Sequence, residues 1–269
     1  MRKLLFASMA IAASTPAWAE PPQKIDVSNL PAAAKMIDEV VVPVPSEVFN
    51  VLDKLGKPRW EDVLRPTEKS VAVPSEAAHT ALRLGTVIAE GFIAVEAENT
   101  EEVKKIGTSV QKLAKALNVE KQVVKHANAI IAGANQKDWP SVRQELDNTM
   151  RDVKEAMTNL DSEALSQLVS IGGWLRGTEA LATVVSSGFT KDGAELLHQP
   201  VLLDYFERKL SAMPPKYKSL PLLTDVQRGV LEIRPLVGVE DGTQISPKSV
   251  QEVGTVAGRL TNAINLKSN

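Results

Sequence analysis

Apolar residues in the middle of the chain recur every three or four positions, which is the spacing of one face of an α-helix. In the segment 100–117 these residues are Val103, Ile106, Val110, Leu113 and Leu117. The spacing returns in two further segments, where the expected inward residues are Val123, Ala127, Ile130, Ile131 and Ala134, then Trp139, Val142, Leu146, Met150, Val153, Met157 and Leu160. Short connections between long helices favour antiparallel neighbours. With no convincing strand pattern, the sequence predicts an all-α antiparallel helical bundle of about eight helices.

Residues that cap helices give the expected boundaries. The predicted N-caps are Ser75, Asn99, Asn118, Asp138, Asp161 or Ser162, Thr190, Thr224 and Ser246. Glu102 follows Asn99 by three residues, and Gln227 follows Thr224 by the same interval, so both pairs fit the capping-box pattern. Pro247 takes the first helical position after Ser246, where proline is favoured. Gly188 is a suitable left-handed C-cap for the helix that precedes it.

Proline placement divides the chain. Of its 16 prolines, nine lie in residues 1–74 and one, Pro140, lies between 75 and 199. Because proline inside a helix costs ~3 kcal/mol, long helices are expected only where it is rare. Residues 20–74 are therefore predicted to form a proline-rich N-terminal arm with short helices at 46–55 and 60–65 and an extended stretch from Val40 to Pro45. Residues 75–269 form the bundle, with a core at 75–212 and a two-helix C-terminal part at 220–266.

Two helical segments, 81–97 and 165–187, are apolar on most sides, which is typical of central helices. Small residues lie four apart on each of them: Gly85 and Ala89 on the first, Gly173 and Gly177 on the second. Small side chains allow two helix backbones to approach closely, and this packing would offset the ~0.5–1 kcal/mol that glycine costs in a helix. We expect the two helices to lie in direct contact at the centre of the fold.

Each central helix also carries a narrow polar stripe. The stripes are His79, Arg83, Thr86 and Glu90 on the first helix, and Arg176, Glu179, Thr183 and Ser186 on the second. One interpretation is structural: the stripes face solvent, or Arg83 pairs with Glu179 and Arg176 with Glu90, since a buried charge needs a partner. The other is a polar pocket in which Arg83, Glu90, Arg176 and Glu179 line a ligand site and the two arginines hold an anion.

Metal chemistry is an alternative. Glu76-x-x-His79 and Glu195-x-x-His198 repeat a motif found in di-iron helical bundles, which also need a glutamate from each of two other helices. Glu47 or Glu61 could supply the first of these, and Glu155 or Glu163 the second. Both motifs lie at predicted helix ends, however, and Glu76 can simply complement a helix dipole. The site is therefore expected to hold no metal, with these residues as secondary candidates.

The N-terminal residues resemble an export signal. Arg2 and Lys3 precede an apolar run from Leu4 to Ala13, and Ala17-Trp18-Ala19 follows with small residues around a large one. This is the arrangement of a cleaved signal peptide, and the run is too short to span a bilayer, which takes about 20 residues. Cleavage after Ala19 would remove Arg2 and Lys3 and so move the net charge from −2 to −4. A periplasmic or secreted protein is expected, with no transmembrane segment after cleavage.

Composition narrows the function. The chain has no cysteine, which excludes a disulfide scaffold, a thiolate metal site and a cysteine nucleophile. Aromatic residues make up only 4%, and no dense basic patch is present, so nucleic acid is not an expected partner. No phosphate-binding loop, dinucleotide fingerprint or nucleophile elbow occurs, and no cofactor is expected. The sequence favours a binding or structural role, with an unknown protein or a small anionic ligand as partner, over an enzyme; a di-iron-like, metal-dependent enzyme remains the alternative.

Overall fold

The helices follow the apolar periodicity closely. A computed structural model describes residues 58–66, 71–160, 162–238 and 243–266, all of which belong to one compact unit, Val40–Asn269. The helices are α1 Trp60–Val63, α2 Ala77–Glu96, α3 Thr100–Ala116, α4 Glu120–Gln136, α5 Trp139–Asn159, α6 Glu163–Ser187, α7 Lys191–Glu195, α8 Pro200–Ser211, α9 Pro215–Lys218, α10 Pro221–Val237 and α11 Pro247–Asn265. The described residues contain no strand, so the all-α prediction is confirmed. The predicted signal peptide, the stretch Val40–Pro45 and the short helix at 46–55 lie outside the described residues.

Helices α2 and α6 form the centre of the bundle. They pack more extensively against each other than any other pair does, and α11, α5 and α8 surround α6. The backbones meet at Gly85 and Gly172: a Cβ on Gly85 would overlap the carbonyl of Val169, and one on Gly172 would overlap the carbonyl of Leu82. The predicted direct contact is confirmed, and of the expected small residues Gly85 and Gly173 lie at it. Gly177 faces open space, and Gly172 rather than Gly177 supplies the close approach.

Four predicted N-caps are confirmed by side-chain hydrogen bonds. Asn99 accepts from the amide of Glu102, and Asp138, Thr190 and Ser246 accept from the amide three residues ahead. Ser162 occupies the N-cap position of α6, but its side chain makes no capping bond.

Other predicted helix ends are wrong. Helix α2 begins after Glu76 rather than Ser75, and α10 begins after Leu220, which places Thr224 inside the helix. Asn118 has a φ of 60° and belongs to the turn that ends α3, where asparagine tolerates the left-handed conformation. Gly188 follows α6 as expected, but its φ of −145° is not left-handed.

The predicted inward residues are buried with two exceptions. Ile131 is only half-buried, and Leu160 is 53% exposed because it follows the last turn of α5 and lies beyond the helix face that packs inward. Trp60, Val63 and Val71 are also buried, so the described parts of the predicted arm contribute to the same core. In the part of the chain that the structure describes, α2 is the helix long and apolar enough to cross a membrane, and 89% of that stretch is buried in the protein.

A buried histidine joins α4 to α5. Nδ1 of His126 lies 2.6 Å from a carboxylate oxygen of Glu145, and Nε2 lies 2.9 Å from one of Asp152. Asp152 also faces Lys125 at 2.9 Å and Arg151 at 3.6 Å. Through these contacts the cluster ties the two helices together.

The carboxyl of Asp152 should make the stability of this helix pair depend on pH. The hydrogen bonds from Lys125 and His126 lower the pKa of Asp152 from 3.8 to about 2. Because the folded-state pKa is depressed, this stabilisation is present above pH 3.8 and is lost as the pH falls towards 2. We expect Asp152→Asn to lower the free energy of unfolding near neutral pH by about 1 kcal/mol, since solvent screens part of the interaction.

Urea unfolding at several pH values measures this effect. The difference in unfolding free energy between the wild type and Asp152→Asn should shrink between pH 4 and pH 2. Asp225→Asn is the matched control, because Asp225 makes only an exposed pair with Arg228, and it should change stability little. If the difference in unfolding free energy stays constant down to pH 2, the contacts of Asp152 with Lys125 and His126 do not stabilise the fold.

Candidate functional site

A polar cavity lies where α2 meets the residues that precede it and the end of α11. Its volume is about 220 Å³. Arg65, Pro66 and Val71 form one wall, and the others come from α2, α3 and α11: Arg83, Thr86, Val87, Glu90, Ile106 and Asn265. The lining therefore combines charged and hydrogen-bonding groups with aliphatic ones.

The polar stripe of α2 supplies most of the hydrogen-bonding wall. Residues 83, 86 and 90 are three and four positions apart, so they lie on one face of the helix. All three are nearly inaccessible, with exposed fractions of 4% for Arg83, 2% for Thr86 and 8% for Glu90. The hydroxyl of Thr86 lies 2.9 Å from the carbonyl of Arg83 and 3.2 Å from Oδ1 of Asn265, which connects the stripe to α11.

Glu90 is fixed from two sides. Nε of Arg176 donates to its Oε2 at 2.5 Å, and the backbone amide of Arg65 donates to its Oε1 at 2.6 Å. Arg176 is 1% exposed and also donates through Nη2 to the carbonyl of Val63 at 2.7 Å. Both carboxylate oxygens of Glu90 are thus committed to protein donors. The pair holds the chain at 63–65 against the two central helices, which positions Arg65 at the cavity.

Glu179 continues this network. It pairs with the guanidinium of Arg65 and, at 3.5 Å, with Nη1 of Arg176. Arg65 also donates through Nη1 to Oδ1 of Asn262 at 2.8 Å. The network therefore links α2, α6, α11 and the residues before α2 through charge-assisted hydrogen bonds, which are stronger than neutral ones.

The structure brings the four sequence-predicted binding residues together in one region, but only two of them line the cavity. Arg83 and Glu90 line the cavity, whereas Arg176 and Glu179 lie in the network behind it. Of the two expected ion pairs, Arg176–Glu90 is present, and Glu179 pairs with Arg65 and Arg176 rather than with Arg83. The end of the second stripe, Thr183 and Ser186, is exposed.

Sequence reasoning missed three polar residues of this region: Arg65, Asn262 and Asn265. The only local signal for Arg65 is its place after a short helix that buries Trp60 and Val63. Asn262 and Asn265 are three apart at the end of α11, which is a common polar pattern on a helix surface. They join the site through contacts that are distant in sequence, and no local pattern indicates such contacts.

The candidate metal ligands are separately engaged. Nε2 of His79 lies 2.7 Å from the carbonyl of Ile264, and Nδ1 of His198 lies 2.7 Å from that of Val237. Glu76 and Glu195 are exposed, as are Glu61, Glu155 and Glu163, while Glu47 lies outside the described residues. Among the residues that the structure describes, no group of three or more histidine, aspartate or glutamate side chains is arranged to hold a metal ion.

Comparison with known proteins adds no functional assignment. No family model matches the chain, and no curated protein and no solved structure is significantly similar to it. Functional inference therefore depends on the geometry of the cavity itself.

Proposed function

We propose that this chain is an exported protein that binds a small molecule in the cavity beside α2. The observation that carries the proposal is the cavity of about 220 Å³, whose lining combines two arginines, a glutamate, a threonine and an asparagine with the aliphatic side chains of Val71, Val87 and Ile106. Ligand pockets between helices use precisely placed polar groups to fix the orientation of a ligand, and the five polar residues beside four apolar ones supply such groups here.

The wall supports binding rather than catalysis. Its carboxylate, Glu90, accepts a hydrogen bond on each oxygen, from Arg176 and the Arg65 amide, so holding residues 63–65 against the central helices accounts for it without a catalytic role. The remaining polar groups are donors and amides that suit recognition. No observation among the described residues supports the metal-dependent alternative.

Export is supported by the N-terminal pattern alone. The positive residues Arg2 and Lys3, the apolar run and Ala17-Trp18-Ala19 favour cleavage after Ala19. The proposed location is the bacterial periplasm or the medium, and a protein there would meet small molecules from outside the cell.

One experiment tests both parts. The full-length chain is expressed in a bacterium, recovered from the periplasmic fraction and examined by native mass spectrometry. We expect the measured mass to match a chain that begins at Glu20. We also expect a bound small molecule that is lost when the protein is denatured. Val87→Phe, which fills the cavity, should remove the bound molecule, whereas Val201→Phe, at a position 64% exposed on α8, should retain it.

The two outcomes are read separately. A protein that keeps residues 1–19 would overturn the proposed export and leave the cavity unaffected. Protein without any bound molecule, or a molecule that Val87→Phe retains, would overturn the proposed binding site.

A further inference from the structure

We infer that the ligand of the cavity is a small monocarboxylate with a short aliphatic chain. This inference rests on the proposed function and names the class of ligand for the same site. It follows from three properties of the wall: its guanidinium groups, its aliphatic side chains and the position of its one carboxylate.

The guanidinium groups favour a carboxylate. Arg83 reaches the cavity from α2, and Arg65 reaches it from the residues before α2. A guanidinium carries a permanent positive charge and donates charge-assisted hydrogen bonds to a carboxylate, and such a contact is stronger beside a side chain that is largely shielded from solvent, as Arg83 is at 4% exposure. Arg65 is already oriented by Glu179 and Asn262, so little conformational entropy is lost when it contacts a ligand.

The aliphatic side chains favour a short hydrocarbon chain. Val71, Val87 and Ile106 come from three different segments and form this part of the wall. Burying each methylene contributes ~0.8 kcal/mol. A volume of about 220 Å³ is below the ~300–1,000 Å³ of sites for drug-sized ligands, so the chain must be short.

The carboxylate of Glu90 selects against other charges. A phosphate dianion would bring two negative charges near Glu90 where a monocarboxylate brings one, and the repulsion between like charges grows with each added charge. An ammonium group would find both oxygens of Glu90 already accepting from Arg176 and the Arg65 amide, with two arginines nearby. A single negative charge therefore fits the wall better than a dianion or a cation does.

The test compares four probes at equal ionic strength, each added to refolded, ligand-free protein: pentanoate, pentan-1-ol, pentylammonium and inorganic phosphate. Calorimetric titration and the midpoint of thermal unfolding are the measurements, because a ligand that binds only the folded state raises that midpoint. We expect pentanoate to bind and raise the midpoint, with the other three weaker by at least about tenfold. Val87→Phe should abolish binding of pentanoate.

Two arginine variants test the contact itself. Arg65→Met and Arg83→Lys should each weaken pentanoate by about tenfold or more while leaving pentan-1-ol unchanged, because they remove a guanidinium fork and not the aliphatic wall. Arg234→Met is the matched control, since Arg234 pairs with Asp204 and Glu207 of α8, away from the cavity. Arg65 is partly exposed, so its variant should fold even if a substitution at Arg83 does not.

The outcomes separate the two proposals. In one contrary result, another probe (pentan-1-ol, pentylammonium or phosphate) binds as tightly as pentanoate or more tightly, and loses that binding in Val87→Phe. That result would overturn the proposed monocarboxylate ligand and leave the proposed binding site standing. Pentanoate binding that both arginine variants leave unchanged would also overturn the inference. If no probe binds, and the protein recovered from the periplasm carries no bound molecule, both the monocarboxylate ligand and the binding site are overturned.

Discussion

Gly172→Ala should lower the free energy of unfolding by about 3 kcal/mol or more, although it adds a single methyl group. A Cβ at this position would overlap the carbonyl oxygen of Leu82 and would lie 2.9 Å from its carbonyl carbon and 3.1 Å from its Cα. All of these are backbone atoms of α2, which cannot turn aside as a flexible side chain can. The two central helices would have to separate, and both lose contacts along their length.

Gly85→Ala should have an effect of similar size for the same reason. Its Cβ would overlap the carbonyl of Val169 and lie 2.7 Å from the amide nitrogen of Gly173. Since Gly85 is also two residues from Arg83 on α2, separation of the helices should widen the polar cavity as well. Urea unfolding of each variant measures the loss.

Gly177→Ala is the matched control, because it lies on the same helix as Gly172 and its Cβ would meet no atom within 4 Å. There the substitution should leave stability unchanged or raise it by ~0.5–1 kcal/mol, since alanine is the better helix former. Equal losses at Gly172 and Gly177 would contradict the close packing of α2 and α6.

The apolar periodicity was sufficient to predict the fold class and the central helix pair. The spacing of residues such as Val103, Ile106 and Val110 indicates that they share one helix face. The scarcity of charged residues in 81–97 and 165–187 indicates that these helices are buried on most sides. Which glycine meets which backbone depends on the rotation of each helix about its axis. Gly172 and Gly173 are neighbours in sequence, yet only Gly172 directs its Cα hydrogen at the backbone of Leu82.

Helix starts were predicted less well. A capping residue marks a position where a helix can begin, but packing against the core determines which nearby residue begins it. Thr224 with Gln227 fits a capping box, but α10 begins earlier, at Pro221, where Leu220 and Leu223 pack against the core. A proline at the first helical position already stabilises that start. The local capping signal at Thr224 is therefore overridden.

Residues 83, 86 and 90 of the first polar stripe lie on one helix face, but their partners were only partly predictable. Spacing along α2 places Arg83, Thr86 and Glu90 on one face, and charge complementarity pairs Glu90 with Arg176. Arg65 was not foreseen because it lies in a short segment between prolines, where no periodic pattern exists. Its carboxylate partner Glu179 is 114 residues away, and only the docking of residues 63–65 onto α6 brings them together.

Glu90→Gln should also have a large effect, a loss of about 3 kcal/mol in the free energy of unfolding. The amide would leave Arg176, at 1% exposure, as a buried cation without the charge that balances it, and its NH₂ group would oppose either the Arg176 guanidinium or the Arg65 amide. The contact with the Val63 carbonyl and the long contact with Glu179 compensate only in part.

Glu232→Gln is the control for this substitution. Glu232 pairs with Arg259 at 2.5 Å, but both side chains are more than 40% exposed, and such surface pairs contribute ~0–1 kcal/mol. A loss at Glu90 no larger than the loss at Glu232 would show that the buried pair adds nothing beyond a surface pair.

A double-mutant cycle with Arg176→Met separates the pair from its surroundings. The double variant should be more stable than the sum of the single losses predicts, because it no longer contains an uncompensated charge. Hydrogen exchange gives an independent measurement: the Arg65 amide, which donates to Glu90, should exchange faster in Glu90→Gln and remain protected in Glu232→Gln. Since Arg65 lines the cavity, the same variant should also weaken the binding of pentanoate. Unchanged protection of Arg65 would mean that Glu90 does not position the wall of the site.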